Sequence, residues 1–230
     1  MIALEQTIRQ LAPAPPQPRG NPLTTQPENH QPAHGLAVFL LDAPNLMTLA
    51  GLTAGLGAVG LCVQERFGPA LALCLLAILI DQLDGRMALQ RPDRPAAVGT
   101  FGAHLDCYAD FVSKGVFPAL MLLILGGFSW AVWPVAGMHL AAIAVRYSYE
   151  FVPSAPGRGL SPDYSILVFA LLYLASPGWG PRYPVILAVL MIALAGLNLA
   201  PFSVPKLRGK ALGAFVIGCL ALMALLTGRP

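Results

Sequence analysis

Four of the eleven acidic residues lie inside stretches of sequence that are otherwise apolar. They are Asp81, Asp84, Asp106 and Asp110. An ionisable residue at the centre of a membrane span costs about 2.5–3.5 kcal/mol, so four carboxylates in one place need a positive charge among them. Oxygen ligands in this number suit Mg²⁺, Mn²⁺ or Ca²⁺. Because magnesium normally keeps positions open for water and phosphate oxygens, the aspartates predict a metal site that acts on a phosphate ester.

The spacing of these aspartates predicts that they converge across two neighbouring helices. At about 100° per residue, Asp81 and Asp84 lie about 60° apart on one helix face. Gly102, Asp106 and Asp110 follow one another at intervals of four residues and share a face of the next helix. The connection between the two helices is short, which makes them antiparallel neighbours.

The elements that position these residues are predicted to be membrane spans. Of the 230 residues, 56% are hydrophobic and 11% are charged, with a mean hydropathy of +0.66. Soluble domains carry about 25% charged residues. The apolar runs are too long for barrel strands of about ten residues. The predicted fold is therefore all-α, a polytopic transmembrane helix bundle, and the small net charge of +3 gives no indication of nucleic-acid binding.

Seven apolar segments are candidates for spans of about 20 residues. They are residues 46–63, 70–89, 102–126, 129–147, 162–177, 183–201 and 210–227. The fifth is the weakest, because its purely apolar stretch is short. Lysine and arginine are concentrated in alternate connecting segments, which predicts a cytoplasmic N-terminus, cytoplasmic carboxylates and an outer C-terminus.

The first 34 residues differ in composition from the rest of the chain. Proline, glutamine, asparagine and threonine dominate them, and large apolar residues are few, so they cannot bury enough surface to offset the entropy of ordering. Residues 1–34 are predicted to be a disordered, Pro-rich cytoplasmic tail and not a signal peptide. Residues 35–230 are predicted to form one membrane domain.

The residues around the aspartates resemble a known signature. The stretch from Asp81 to Ala88 reads D-Q-L-D-G-R-M-A, and the stretch from Gly102 to Asp110 reads G-A-H-L-D-C-Y-A-D. Together they are similar to the signature of the CDP-alcohol phosphatidyltransferases, D-x2-D-G-x2-A-R followed by G-x3-D-x3-D. Two features depart from the signature: Leu89 stands in place of the arginine, and the spacer before Gly102 is long, at twelve residues. Pro44 to Thr48 resembles the family's first-helix opening, and Phe101 to Leu120 resembles its bacterial phosphatidylserine synthase branch.

This resemblance implies a fold and an activity. The fold would be a six-helix core plus about one extra C-terminal helix, often a homodimer, with a polar cavity open to the cytoplasm. The activity would be transfer of a phosphatidyl group from CDP-diacylglycerol to a small alcohol, with release of CMP, in phospholipid biosynthesis. Mg²⁺ or Mn²⁺ would be the cofactor, and the bacterial inner membrane would be the location.

The resemblance also implies roles for individual residues. Asp81, Asp84 and Asp106 would hold the metal, with Asp110 at its edge as a further ligand and as the general base. The CDP-linked lipid would contact a set of residues on the first three spans and the loop between the second and third: Asn45, Thr48, Gly85, Ala88, Arg91 and Gly102. Arg91 belongs to this set because leucine at position 89 cannot pair with a phosphate, and a loop arginine could replace the lost contact.

Two cations are candidates for binding the acceptor alcohol. Lys114 lies one turn after Asp110 on the same helix face, and Arg146 ends the fourth span. Either could bind the carboxylate of serine, the favoured acceptor, or the phosphate of glycerol phosphate or inositol phosphate. Nearby tyrosines keep choline open as an acceptor. His139, within the fourth span, is expected to be packed and hydrogen-bonded.

Two other interpretations remain open. Intramembrane carboxylates also mark ion and substrate pathways, but transporters usually show repeats and interrupted helices near the midplane, and no repeat is visible in this sequence. Leu89 motivates the other alternative, an inactive member of the family.

Overall fold

The computed structural model describes residues 35–152, 159–202, 204, 207 and 209–228. Within these residues, the regular secondary structure consists of helices joined by loops and turns. This confirms the predicted fold class. The prediction of a disordered tail concerns residues 1–34 and lies outside the described residues.

Nine α-helices are found within the described ranges, together with one π-helical turn and two short 3₁₀ turns. The α-helices are α1 (Leu36–Leu40), α2 (Ala43–Val63), α3 (Phe67–Leu89), α4 (Ala96–Asp110), α5 (Phe117–Leu125), α6 (Trp133–Tyr149), α7 (Pro162–Ala175), α8 (Tyr183–Leu199) and α9 (Gly209–Thr227). The π-turn (Phe111–Val116) joins α4 to α5, and the 3₁₀ turns (Ser176–Gly178 and Gly180–Arg182) precede α8.

Helical segments lie at all seven places where the apolar runs predict spans. Five are long and apolar enough to cross a membrane, as an integral membrane protein requires: Ala43–Val63, Phe67–Leu89, Ala96–Leu125, Gly180–Leu199 and Gly209–Thr227. The other two are shorter, since α6 has 17 residues and α7 has 14. At about 1.5 Å per residue, α7 is roughly 21 Å long, less than the 30 Å or so of a bilayer's hydrocarbon core.

The core of the bundle is built around α3. This helix packs against α2, α7 and α9, and large side chains along it, such as Leu71, Leu75 and Ile78, are fully buried. Phe117 and Met121 of α5 belong to the same buried cluster. A helix that is apolar on every side belongs in the interior of a bundle, and α3 is such a helix until its polar end at the aspartates.

The π-turn is a feature that the apolar pattern does not predict. The pattern indicates one regular helix over residues 102–126, whereas the structure has π-helical geometry over six residues in its middle. A π insertion adds a residue to the turn and so rotates the following helix by about 100° relative to an uninterrupted α-helix. The aspartates of α4 and the core-facing Phe117 of α5 can therefore both reach their partners.

Side chains from two neighbouring helices bind carbonyl groups of the π-turn. Cys74 Sγ donates to the Ser113 carbonyl oxygen (3.0 Å), and His139 Nε2 donates to the Lys114 carbonyl oxygen (3.0 Å). His139 is fully buried, and its ring packs edge-on against Phe169 with 6.1 Å between centroids. The expectation of a packed, hydrogen-bonded histidine is confirmed. Because a carbonyl oxygen can only accept, the proton of the neutral imidazole is on Nε2.

We expect His139→Leu to lower the thermal unfolding midpoint of the protein in detergent, because a buried carbonyl oxygen without its donor costs about 1–3 kcal/mol. His139→Gln, whose side-chain amide can reach the same oxygen, should recover part of the loss. Phe169→Leu is the packing control, since it removes the ring contact and leaves the hydrogen bond. Equal midpoints for the leucine and glutamine variants would show that the hydrogen bond does not stabilise the turn.

Candidate active site

The four aspartates predicted to converge do meet, at the end of α3 and along α4, around a small cavity. Its volume is about 10 Å³, roughly the room that one water-sized sphere needs, so it fits an ion and not a nucleotide. The residues that line it are Thr48, Gly51, Ala77, Asp81, Asp84, Asp106, Ala109, Asp110 and Ser113.

Three of the aspartates form a set that could hold a metal ion. Asp81, Asp84 and Asp106 each offer one carboxylate oxygen, and these three atoms lie within 4.8 Å of one another. Oxygen ligands of Mg²⁺ lie about 2.0–2.1 Å from the ion, which the trio can meet with small side-chain movements. Thr48, predicted to contact the nucleotide-lipid, has its Oγ1 2.5 Å from Asp84 Oδ2 and so orients a possible ligand.

Asp110 lines the same cavity but has different partners. Tyr147, on α6, donates its hydroxyl hydrogen to Asp110 Oδ2 (2.8 Å). Lys114 Nζ lies 2.7 Å from the same oxygen. Oδ2 of this buried carboxylate is therefore held by two donors, whereas Oδ1 takes no part in either contact.

Lys114 is the positive charge that the aspartates require. Its side chain is only 2% exposed, and its Nζ lies 2.7 Å from Asp110, 3.4 Å from Asp81 and 2.5 Å from Asp163. Helical spacing predicts the contact with Asp110. Helical spacing does not predict the contact with Asp163, which lies at the start of α7. The signal that could have identified Asp163 is a further acidic residue at the edge of an apolar segment.

Two residues predicted to contact the nucleotide-lipid, Asn45 and Gly102, meet where α2 and α4 approach. Asn45 donates through Nδ2 to the Phe39 carbonyl oxygen (2.7 Å), and its Oδ1 accepts from Arg94 Nη2 (2.7 Å). A Cβ on Gly102 would collide with Asn45 Oδ1 and would lie 2.8 Å from Arg94 Nη2. A larger residue here would displace these two side-chain ends, so glycine leaves them the space for their hydrogen bond.

The loop after α3 contains two arginines that share Asp42. Arg94 Nη2 lies 2.5 Å from Asp42 Oδ2, and only 12% of the Arg94 side chain is exposed. Arg91 Nη1 lies 3.5 Å from Asp42 Oδ1, and 49% of the Arg91 side chain is exposed. Leu89 is 87% exposed at the end of α3. Nearness in the sequence to position 89 favours Arg91, but Arg94 is the arginine that reaches Asn45 and Gly102.

The remaining predicted residues lie around this centre. Gly85 is exposed, and no atom outside its own stretch of helix lies within 4 Å of where its Cβ would be, among the residues described. Gly85 therefore leaves open space beside Asp84, and Ala88 is half-buried about one turn further along the helix. Arg146 is buried, and its ion pair within the described chain is with Glu150 (2.9 Å) rather than with the aspartates.

Comparison with known proteins identifies the family. Residues 41–227 match the sequence model of the CDP-alcohol phosphatidyltransferases. A CDP-diacylglycerol–serine O-phosphatidyltransferase of Mycobacterium tuberculosis is 34% identical over 161 residues, which cover 62% of this chain and 54% of the relative. An archaetidylserine synthase of Methanothermobacter thermautotrophicus is 32% identical over 79 residues, 34% of this chain and 33% of the relative.

A phosphatidylinositol phosphate synthase of Mycobacterium marinum is 29% identical over 181 residues, 68% of this chain and 71% of the relative. The chain spans about half the length of the mycobacterial serine transferase that it matches. The family match includes both aspartate pairs, the cavity between them and the helices that carry them. The chain therefore belongs to the CDP-alcohol phosphatidyltransferase family.

Proposed function

We propose that this protein transfers the phosphatidyl group of CDP-diacylglycerol to a small alcohol, with serine as the favoured acceptor and CMP as the second product. The observation that carries the proposal is that the four carboxylates of the site have two different environments. Three of them present oxygens within 4.8 Å of one another, and the fourth, Asp110, is held beside them by Lys114 and Tyr147. Family membership and relatives named for serine transfer support it.

In this proposal Asp81, Asp84 and Asp106 hold Mg²⁺ or Mn²⁺. Their oxygens are hard ligands on two rigid helices, and Thr48 orients one of them. A divalent cation bound there would neutralise phosphate charge during the transfer. The cavity between the carboxylates has room for an ion of this size.

Asp110 is the proposed general base. It accepts the proton of the acceptor hydroxyl, and the acceptor oxygen forms a bond to the lipid-side phosphorus while the bond from that phosphorus to the CMP oxygen breaks. The donors Tyr147 and Lys114 both engage Oδ2, which leaves Oδ1 for the hydroxyl proton. The protein otherwise contributes position and charge.

Binding of the CDP-linked lipid is assigned to the open end of α3 and the adjoining loop. Gly85 leaves space beside the carboxylates, Ala88 adds only a small side chain one turn further, and Gly102 lets Arg94 and Asn45 approach closely. Arg94 supplies the cation that the family carries at the position of Leu89. Arg91, half-exposed and also paired with Asp42, is the second cation of this loop.

Arg146 is the better candidate for binding the acceptor's carboxylate. Lys114 already contacts three carboxylates of the protein, whereas Arg146 is paired with Glu150 alone and its buried Nε has no hydrogen-bond partner among the described residues. An acceptor phosphate would use the same group. We place this end of the bundle at the cytoplasmic face of a bacterial inner membrane, as the distribution of lysine and arginine favours.

The purified protein should release CMP from CDP-diacylglycerol in the presence of Mg²⁺ or Mn²⁺, fastest with serine in a panel that also contains glycerol phosphate, inositol phosphate and choline. Asp110→Asn should lower the rate by about a hundredfold or more, because proton transfer contributes about 10²–10⁴. Binding of CDP-diacylglycerol should change little. No release with any acceptor would contradict the function, and faster release with another acceptor would reassign the substrate.

Replacing Asp81, Asp84 or Asp106 by asparagine should weaken metal binding and remove metal-dependent turnover. Binding of Mn²⁺ to the protein can be followed by electron paramagnetic resonance without any substrate. Asp93→Asn, the same change in an exposed loop, is the matched control and should bind Mn²⁺ normally. Near-normal Mn²⁺ binding and activity in two of the three variants would contradict the ligand assignment.

Arg94→Ala should weaken binding of CDP-diacylglycerol by roughly ten- to a hundredfold, since a charged hydrogen bond is worth about 1.5–3 kcal/mol. Arg91→Ala should have a smaller effect, because that side chain is half in solvent. Arg94→Lys keeps the charge but not the geometry of the guanidinium group, so it shows which of the two the lipid needs. Adding Leu89→Arg to Arg94→Ala should restore part of the affinity for CDP-diacylglycerol. A larger loss of affinity from Arg91→Ala than from Arg94→Ala would show that Arg91 is the cation that binds CDP-diacylglycerol.

A further inference from the structure

Asp163 lies outside the family signature, yet its carboxylate reaches the centre of the site. We propose that Asp163 is a positioning residue for the transfer reaction, and that it acts by holding the Lys114 ammonium beside Asp110. The inference rests on the proposed function, because it assigns a role within that reaction.

The contact itself is short and shielded from solvent. Asp163 Oδ1 lies 2.5 Å from Lys114 Nζ, and that nitrogen lies 2.7 Å from Asp110 Oδ2 on its other side. Asp163 is half-buried and Lys114 is buried. A carboxylate this near to the other aspartates is repelled by them unless a cation lies between, so Asp163 and Lys114 each account for the other's position.

The beginning of α7 is built to present this carboxylate. Pro162 is the first residue of the helix and Asp163 the second, which is where proline is favoured and where a negative charge meets the positive end of the helix dipole. Ser161 Oγ donates to Asp163 Oδ2 (3.1 Å). One oxygen of Asp163 is therefore held by the chain next to it, and the other is left for Lys114.

The segment just before α7 is tied to the end of α8. Gly159 N donates to the Phe202 carbonyl oxygen (2.7 Å), and Leu160 N donates to the Leu197 carbonyl oxygen (2.9 Å). Gly159 has φ +68°, and a Cβ there would collide with the backbone of Leu197 and Asn198. Only glycine fits both the left-handed conformation and the space. This strap, residues 159–160, fixes where α7 starts.

The shortness of α7 follows from the same arrangement. Its first turn touches Lys114, which lies in the middle of the long segment Ala96–Leu125. Because α7 begins level with Lys114, its 14 residues can lie alongside only the second half of that segment.

The effect of Asp163 on the reaction follows from what Lys114 would otherwise do. Lys114 Nζ also lies 3.4 Å from Asp81, a member of the metal-binding trio. Without Asp163, the ammonium is free to move toward Asp81, where it competes with a cation and leaves Asp110. With Asp163 in place, Lys114 stays on Oδ2 of Asp110, and Oδ1 remains available to the acceptor.

Asp163→Asn should lower kcat for CMP release by about ten- to a hundredfold. A loss of this size is expected when a catalytic group is displaced by up to about 1 Å. The KM for CDP-diacylglycerol should stay within about twofold. Asp163→Glu should recover part of kcat. Glu65→Gln, which removes an exposed carboxylate at the opposite end of α2, is the control and should leave kcat unchanged.

A double-mutant cycle tests the contact without any activity measurement. Asp163→Asn should lower the thermal unfolding midpoint when Lys114 is present and should leave or raise it in a Lys114→Met background. Additive changes in midpoint, or an unchanged kcat for Asp163→Asn in an otherwise active protein, would overturn this inference alone. A wild-type protein that releases no CMP would contradict the proposed function, and this inference with it.

Discussion

The arrangement of the site depends on one buried ammonium group. Lys114 Nζ has carboxylate oxygens of three residues within 3.4 Å, from three different helices: Asp81, Asp110 and Asp163. Removing one partner from a buried group of charges is strongly destabilising, because it leaves the others uncompensated in a region of low dielectric constant. Lys114 therefore stabilises the convergence of α3, α4 and α7 at this point.

Much of the surrounding structure determines where that ammonium lies. The π-turn carries Lys114, and donors from α3 and α6 bind the carbonyl groups of the turn. The strap at residues 159–160 sets the start of α7 and so the position of Asp163. Cys74 and His139 contribute no ligand to the candidate metal site, and their hydrogen bonds to the π-turn explain why these polar side chains lie in the apolar interior.

The side of the site proposed to bind the CDP-linked lipid follows a different principle, in which small residues leave room and two arginines lie nearby. Gly85 leaves open space, and Gly102 lets Asn45 and Arg94 come close to the backbone of α4. Leu89 departs from the family signature at an exposed helix end. The nearby loop carries Arg94, which contacts Asn45 of α2, so a cation lies in this region although position 89 itself has none.

The sequence by itself determined the helices and the convergence of the three aspartates that could hold a metal ion. Apolar runs of span length predict helices because the backbone must satisfy its own hydrogen bonds in lipid, and helical periodicity places Asp81, Asp84, Asp106 and Asp110 on facing surfaces. Only the tertiary structure decided that Asp163 contacts Lys114, that Arg94 rather than Arg91 reaches Asn45, and that a π-turn interrupts the third span. These features arise where segments distant in the sequence meet, and a periodic pattern carries information only about the face of its own helix.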